Sequence, residues 1–183
     1  KVISALHPTG YPVARPFALC EDDSIVGSAF YIMEMVEGPV YWNGALPDKT
    51  PAERRAIYDA QITTLANLHA LDPDAIGLSD FGRPGNYFAR QIDRWTKQYR
   101  LSETENVESV NFLAEWLPST MPVQERVSVV HGDYRIDNMI FAAPDTPRVV
   151  AVLDWELSTL GDPMADFSYL MMNWFTPANG AAT

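Results

Sequence analysis

The 183-residue sequence contains a single cysteine, Cys20, so the chain can form neither an internal disulfide nor a thiolate metal cluster. Such sparse cysteine usage is typical of a reducing compartment, and a cytoplasmic protein is therefore expected. Long apolar runs are also lacking. No run approaches the roughly 20 residues that span a bilayer, and the first residues lack the apolar stretch of a signal peptide. The sequence therefore predicts no membrane partner.

Positive charge is scarce as well. The sequence has 13 lysine and arginine residues against 24 acidic residues, which gives a formal net charge of -11. An acidic chain repels phosphate backbones, so nucleic acid is not expected as a partner. A single nucleotide is not excluded, because Mg²⁺ and a few cations can neutralise its phosphates locally. Hydrophobic residues make up 47% of the chain, enough for one core and a smaller second lobe.

The first part of the chain has the pattern of a β-hairpin. Short β-strands are predicted at residues 17–20 and 29–36, with an acidic turn between them. The second strand runs into the stop signal Glu-Gly-Pro at 37–39, which predicts a hinge to a second lobe. The predicted division is therefore a remnant of an N-terminal lobe at 1–37 and a helical C-terminal lobe at 38–183.

Three amphipathic helices are predicted next, from apolar residues at every third or fourth position. The first begins at a capping box, Thr50 to Glu53, and ends at the Asp-Pro pair 72–73. The third is capped within 102–105 and closed by Pro118. The side chains predicted to face the core are Tyr58, Ile62, Leu65 and His69 in the first helix, Phe88, Ile92, Trp95 and Tyr99 in the second, and Val110, Leu113, Trp116 and Leu117 in the third.

The pattern then changes to short strands. These are predicted at 127–130, 139–141 and 149–153, and a turn-rich stretch at 143–147 separates the last two. A last helix is predicted at 164–174, with Trp174 at a spacing that also suits core packing. The order of the elements indicates an α+β fold, in which a mainly helical lobe carries a few short strands.

The most informative segment is the polar loop 131–138 between two apolar strands. Polar groups held between strands need partners, so such a loop is either tightly self-bonded or built around a ligand. Asp133 and Asn138 lie at its two ends, and Asp154 follows the next strand. A carboxylate at a strand end beside such a loop is a natural site for a hard cation such as Mg²⁺.

This set of residues suits phosphoryl transfer. The reaction needs a carboxylate that orients the attacking hydroxyl, oxygen ligands for Mg²⁺ on the nucleotide phosphates, and a cation near the transferred group. Asp133 can face the hydroxyl while Asn138 and Asp154 face the metal. Arg135 is the candidate cation for the γ-phosphate, and an ion pair with Asp137 or Glu156 is the alternative.

Three segments, 131–138, 153–156 and 161–166, together resemble the aminoglycoside-phosphotransferase family of kinase-like enzymes. In that family the loop reads His-Gly-Asp-x4-Asn, and the metal Asp stands where protein kinases have the Asp of Asp-Phe-Gly. The sequence His-Gly-Asp-Tyr-Arg with Leu-Asp-Trp-Glu is most similar to the branch found fused to, or encoded near, acyl-CoA dehydrogenases. The resemblance implies a protein-kinase-like fold with a truncated N-terminal sheet lobe.

The resemblance also implies roles for individual residues. Asp133 would be the catalytic base, with Asn138 and Asp154 as Mg²⁺ ligands. His131 is interpreted as a core histidine that bonds the loop backbone, and Asp166 as a carboxylate that braces the loop. Backbone groups at the linker between the lobes would meet the adenine of ATP, and this linker is formed by Met33, Glu34, Met35 and Val36.

The implied activity is ATP- and Mg²⁺-dependent phosphorylation of a hydroxyl on a small molecule. Acceptors of the family include antibiotics, choline and sugars, and the branch suggests a hydroxy-acid or its CoA thioester. As an alternative to core packing, one or two of Trp95, Tyr99, Trp116 and Trp174 would line the acceptor pocket. Two alternatives stay open: a protein kinase and a catalytically silent nucleotide-binding module. A protein kinase would usually show His-Arg-Asp and Asp-Phe-Gly, whereas Gly132 and Trp155-Glu156 stand at those positions here.

Some parts of a kinase-like site are lacking. The Gly-rich loop, the strand lysine and the helix glutamate would belong to strands and a helix that precede Lys1. The sequence begins without methionine, in a helical pattern at 1–6 that ends at Pro8 and Gly10. We therefore expect the chain to be a fragment of a longer protein, with little or no kinase activity by itself.

Overall fold

The computed structural model describes residues 1–83, 85–142 and 147–175. The helices are α1 (Val2–Leu6), α2 (Pro51–Ala70), α3 (Tyr87–Ser102), α4 (Glu108–Thr120) and α5 (Met164–Phe175). The strands are β1 (Pro16–Cys20), β2 (Phe30–Met33), β3 (Ser128–Val130), β4 (Met139–Phe141), β5 (Val149–Val152) and β6 (Thr159–Gly161). Within the described ranges they form antiparallel pairs, β1 with β2, β3 with β6 and β4 with β5. The predicted α+β class is confirmed, and the predicted turn at 143–147 lies almost entirely outside the described residues.

The N-terminal hairpin is formed by β1 and β2. The second strand ends at Met33 and not at Val36 as predicted, because β1 offers no partner further along. A hydrogen bond from the Glu34 N–H to the Arg15 carbonyl oxygen, at 2.8 Å, closes the ladder. Most apolar side chains of the hairpin are exposed. Two strands alone are marginally stable, so the hairpin depends on its attachment to the rest of the fold.

Helix α2 begins with the predicted capping box. The Thr50 side chain accepts a hydrogen bond from the Glu53 N–H, and the Glu53 carboxylate accepts one from the Thr50 N–H at 2.7 Å. The predicted apolar face is only partly right, since Ile62 is exposed. The helix packs against β3 and β5, and Leu65 and His69 of the predicted face are buried. Its buried side chains are Ile57, Gln61, Thr64, Leu65, Leu68 and His69.

Helices α3 and α4 pack against each other and differ most from the sequence prediction. Helix α4 begins at Glu108 and not within 102–105, because the Ser102 hydroxyl donates to carbonyl oxygens of α3 and so belongs to the end of that helix. Pro118 lies inside the last turn of α4 and does not close it. The prediction that the tryptophans pack in the core was wrong: exposed fractions are 56% for Trp95, 46% for Trp116 and 52% for Trp174.

The core lies around β3, β4 and β5. It joins side chains from the N-terminal segment with those of α2 and the strands, among them Leu6, Leu68, Val129 and Phe141. Two backbone bonds tie the N-terminal part to the strands: the Val152 N–H donates to Pro12 O at 2.8 Å, and the Phe141 N–H donates to Pro39 O at 3.0 Å. The division at residue 37 stays a prediction.

Strand β6 was not predicted, because three residues show no alternation that sequence patterning can detect. It pairs with β3, with Ser128 opposite Gly161. A Cβ atom at Gly161 would lie 2.5 Å from the ring of Tyr87, so glycine is required where α3 meets this strand. The pairing brings the chain that follows Asp154 back beside the polar loop. None of the helices in the described part of the chain is long and apolar enough to cross a membrane.

Candidate active site

The polar loop is fixed at its start by Asp166 in the first turn of α5. One carboxylate oxygen accepts a hydrogen bond from the His131 N–H at 2.8 Å, and the other accepts one from the Gly132 N–H at 2.9 Å. His69 of α2 approaches the same carboxylate at 3.1 Å. Asp166 is only 1% exposed. A buried carboxylate is costly without partners, and here three groups compensate it.

His131 connects the loop to the end of β5. Its Nε2 lies 2.8 Å from the carbonyl oxygen of Leu153, and its Nδ1 accepts a hydrogen bond from the Asp133 N–H at 3.2 Å. These two partners assign the proton of a neutral ring to Nε2. Burial lowers the pKa of His131, which agrees with the neutral form. The ring packs on Trp155, with centroids 4.6 Å apart.

Asp133 is held from two sides. The Tyr169 hydroxyl of α5 donates to its Oδ1 at 2.9 Å, and the Asn138 side-chain amide donates to its Oδ2 at 3.0 Å. The carboxylate is therefore oriented while part of it stays open to solvent. Burial and the bond to Asp133 raise the pKa of Tyr169, so the phenol keeps its proton and acts as a donor. Sequence analysis missed Tyr169; its position three residues after Asp166, on the same helix face, was the available signal.

Asn138 and Asp154 are brought next to each other by the backbone. The Leu153 N–H donates to the Asn138 carbonyl oxygen at 2.9 Å, which sets the loop end beside the end of β5. The Asn138 amide nitrogen bonds to Asp133, and its side-chain oxygen has no partner in the described part of the chain. The Asp154 carboxylate is exposed and likewise has no partner there. Asp154 has a left-handed backbone, with φ 63° and ψ 58°.

This donor set fits Mg²⁺. Two side chains offer unpartnered oxygens, and oxygen is the ligand that this hard cation prefers. In the described ranges there is no group of three or more His, Cys, Asp or Glu side chains that could hold a metal. A bound ion would therefore take its remaining ligands from nucleotide phosphates and water, which is usual for Mg²⁺ in phosphate-handling sites.

Arg135 lies beside the candidate base. Its guanidinium bonds to Asp137 at 2.5 Å and approaches Asp133 at 3.5 Å. Of the two alternative ion pairs, the one with Asp137 is present, and none between Arg135 and Glu156 is seen in the described part of the chain. The side chain is about half exposed, so it can exchange these partners for a phosphate.

The predicted linker residues lie beyond the hairpin. Glu34 is anchored to Arg15, both by its N–H and by its carboxylate, which accepts from the Arg15 N–H at 3.3 Å. Within the described residues, the backbone of Met35 and Val36 makes no hydrogen bond and is open to a ligand. Just after them, a Cβ at Gly38 would lie 2.1 Å from the Phe141 carbonyl oxygen. The chain just after the linker therefore packs directly on β4, the strand that follows the polar loop.

Comparison with known proteins places the chain in a family. The model of the phosphotransferase enzyme family matches residues 1–182. The chain is 45% identical over 179 residues to acyl-CoA dehydrogenase family member 10 of Mus musculus, a match that covers 98% of this chain and 17% of the mouse protein. It is also 56% identical to a crystal structure from Ralstonia eutropha JMP134 assigned to the aminoglycoside phosphotransferases, with a TM-score of 0.90 over 98% of this chain and 54% of that one.

The chain belongs to the phosphotransferase enzyme family. More distant structures share the fold: the streptomycin–ATP–APH(2'')-IIa ternary complex is 22% identical, with a TM-score of 0.63 over 91% of this chain and 56% of that one. The predicted resemblance and the kinase-like fold are confirmed. The chain spans about a sixth of the length of the curated relative and about half of the Ralstonia structure.

Proposed function

We propose that this chain carries the catalytic loops of an ATP- and Mg²⁺-dependent phosphotransferase that acts on a hydroxyl group of a small molecule. The observation that carries the proposal is the arrangement around Asp133. Its carboxylate is oriented by Tyr169 and Asn138, and unpartnered oxygens of Asn138 and Asp154 lie at the adjoining strand end. Membership of the phosphotransferase family supports it.

In the proposed reaction, Asp133 accepts a hydrogen bond from the acceptor hydroxyl and takes its proton as the oxygen attacks the γ-phosphorus of ATP. The bond from that phosphorus to the bridging oxygen breaks, and ADP leaves. Mg²⁺, held by Asn138 and Asp154, would neutralise charge on the nucleotide phosphates. Asp166 and His131 keep the loop in position. Arg135 would leave Asp137 to face the transferred group.

The linker residues are the second argument for the proposed binding of a nucleotide. The backbone groups of Met35 and Val36, which have no hydrogen-bond partner among the described residues, would be available to bond to an adenine. A 22% identical structure of the same fold is a ternary complex with ATP and streptomycin. For this chain, ATP binding is part of the proposal.

The acceptor is proposed to be a hydroxy-acid or its CoA thioester. The support is the similarity to a curated acyl-CoA dehydrogenase family member, which ties the sequence to acyl-CoA chemistry. The distant aminoglycoside enzymes show only the fold, since their identity to this chain is about a fifth. A thermal-shift screen of the full-length protein against hydroxy-acids, their CoA thioesters and aminoglycosides would separate these acceptor classes.

Two variants of the full-length protein test the reaction. Asp154→Ala should abolish Mg²⁺-dependent ATP binding in calorimetry, because one of two protein ligands is lost. Asp133→Asn should bind Mg²⁺–ATP normally but lower phosphate transfer by about 10²- to 10⁴-fold, the usual contribution of a general base. The control is Asp59→Asn, on the exposed face of α2. If the affinity for ATP changes neither on removal of Mg²⁺ nor in Asp154→Ala, the proposal is excluded.

A further inference from the structure

A cavity of about 690 Å³ opens beside the polar loop and has no part in the reaction described above. One wall is formed by Gly132 of the loop, by residues 156–159 and by the start of α5. A Cβ at Gly132 would lie 2.8 Å from the Leu157 carbonyl oxygen, so the loop and this wall are in direct contact. The residue after Gly132 is the candidate base, so the cavity borders the loop that carries this residue.

The opposite wall comes from α3 and the loop before it, and it carries unusual charge. Arg83, Arg90 and Arg94 all line the cavity, whereas Glu156 is the one carboxylate among the described lining residues. The chain as a whole has 13 basic and 24 acidic residues. The cavity therefore has a local positive charge in a chain whose net charge is negative. The three arginines repel one another unless a bound anion lies between them.

These arginines are not neutralised by the protein. Among the described residues, the side chains of Arg83 and Arg94 have no carboxylate partner. Arg90 donates to the carbonyl oxygens of Gly85 and Arg83, which hold its guanidinium in place without cancelling its charge. A guanidinium fixed in this way is preorganised for a carboxylate or phosphate.

An aromatic surface adjoins the arginines. Trp95 is 56% exposed, and the Arg94 guanidinium carbon lies 5.6 Å from the centre of its ring. Phe88 and Tyr87 line the same wall and meet edge to face, with centroids 5.7 Å apart. An exposed tryptophan beside the Arg94 cation offers a flat contact for an apolar part of a ligand whose negative charge meets the arginines.

We propose that this cavity binds an anionic group of the acceptor, a phosphate or carboxylate that is separate from the reacting hydroxyl. The apolar part of the acceptor next to this group would pack against Trp95. The inference rests on the proposed function, because it assigns the cavity to the acceptor of that reaction. It gives the substrate class as an organic anion. We expect this cavity to bind polycationic aminoglycosides less well than organic anions, because the three arginines repel cations.

Binding of three small probes to the full-length protein, without nucleotide or Mg²⁺, tests the proposal. Phenyl phosphate, benzoate and benzylamine have the same ring and differ in charge. The indole N–H signal of Trp95, assigned with Trp95→Phe, should shift with the two anions and not with benzylamine, and raising the salt concentration should weaken the shift. Phenyl phosphate binding more tightly than benzoate would identify a phosphate site, and the reverse order a carboxylate site.

Charge variants make the test specific. Arg94→Gln should raise the dissociation constant of the preferred anion at least about fivefold, and Arg83→Gln serves as a second variant if the first fails to fold. The control is Arg55→Gln, which removes a charge from the exposed face of α2. It should change the dissociation constant of the same anion by less than about twofold. Equal binding of benzylamine, or no effect of either cavity arginine, would overturn the inference.

Failure of this inference is distinguishable from failure of the proposed function. Mg²⁺–ATP binding is measured separately in the wild type and in Asp154→Ala. If Mg²⁺–ATP binds but neither anion does, the cavity assignment is wrong and the phosphotransferase proposal stands. If the anions bind with the expected dependence on arginine while Mg²⁺–ATP does not bind at all, the cavity is an anion site, and its assignment to an acceptor is overturned together with the reaction.

Discussion

At the scale of single residues, Tyr169 and Asp166 of α5 both form hydrogen bonds to the start of the polar loop, residues 131–133. Asp166 accepts two backbone N–H groups at the start of the loop, and Tyr169 donates to the carboxylate of Asp133. One turn of α5 therefore fixes both the backbone and the side chain of the candidate base. Such double support is what a reactive carboxylate needs to keep its orientation.

Removing the tyrosine hydroxyl tests this support. Tyr169→Phe should lower the rate constant of phosphate transfer by about 10- to 150-fold, since a hydrogen bond to a charged group contributes about 1.5–3 kcal/mol. Affinity for Mg²⁺–ATP should not change, because Tyr169 contacts neither candidate metal ligand. Steady-state kinetics of the full-length protein would measure both. The matched control is Tyr41→Phe, at a half-buried tyrosine whose ring packs against Phe141. An equal loss of rate in that variant would contradict the assignment.

Removing the buried carboxylate has a larger effect on stability. Asp166→Ala leaves the N–H groups of His131 and Gly132 without partners, and each such group costs about 1–3 kcal/mol. We expect the free energy of unfolding in urea to fall by about 3–5 kcal/mol. Asp166→Asn, which keeps one acceptor oxygen, should lose less. A loss below about 1 kcal/mol for Asp166→Ala, or a similar loss for the exposed control Asp59→Ala, would show that the brace is not needed.

At the scale of elements, the short strand β6 depends on a close approach to α3. The ring of Tyr87 lies where a Cβ of residue 161 would be, so the helix can only meet this strand at glycine. This contact places α3, with its arginines, opposite the polar loop. The cavity between them is a consequence of how two distant elements pack.

Gly161→Ala tests the close approach. The added methyl group would force Tyr87 aside and should lower the free energy of unfolding by about 1–3 kcal/mol, measured by urea denaturation. Combining it with Tyr87→Leu, which removes the ring, should recover part of this loss in a double-mutant cycle. Strict additivity of the two substitutions would show that the ring and residue 161 do not meet.

At the scale of the whole molecule, one core holds the N-terminal segment, α2 and the strands together, and His131 lies within it. Burial lowers the pKa of this histidine below 6.5, its ordinary value. The unfolded chain therefore binds a proton more readily than the folded one as the pH falls through that range. Neutral His131 stabilises the fold fully above pH 6.5, and this contribution is lost as the pH drops towards the folded pKa.

This pH dependence can be measured directly. In a titration followed by the NMR signals of its imidazole ring, His131 should change protonation clearly below pH 6.5. The free energy of unfolding should decrease over the same interval. A midpoint at or above 6.5 would contradict a neutral, buried ring.

The sequence by itself determined the features that neighbouring residues encode. The capping box of α2 needs only four consecutive residues, and the strands around the polar loop are short apolar runs, so both were predicted. The types and order of Asp133, Asn138 and Asp154 were sufficient to propose the chemistry. Their roles stay predictions until the variants are measured.

Only the tertiary structure decided which faces are buried and which distant side chains meet. Ile62 and Trp95 have the spacing of core residues and are exposed, because burial depends on what packs against a helix and not on its own period. Tyr169 reaches Asp133, and Arg94 faces the polar loop across a cavity, only through contacts between segments far apart in the chain. Local hydrogen bonds and periodicity carry no information about such contacts.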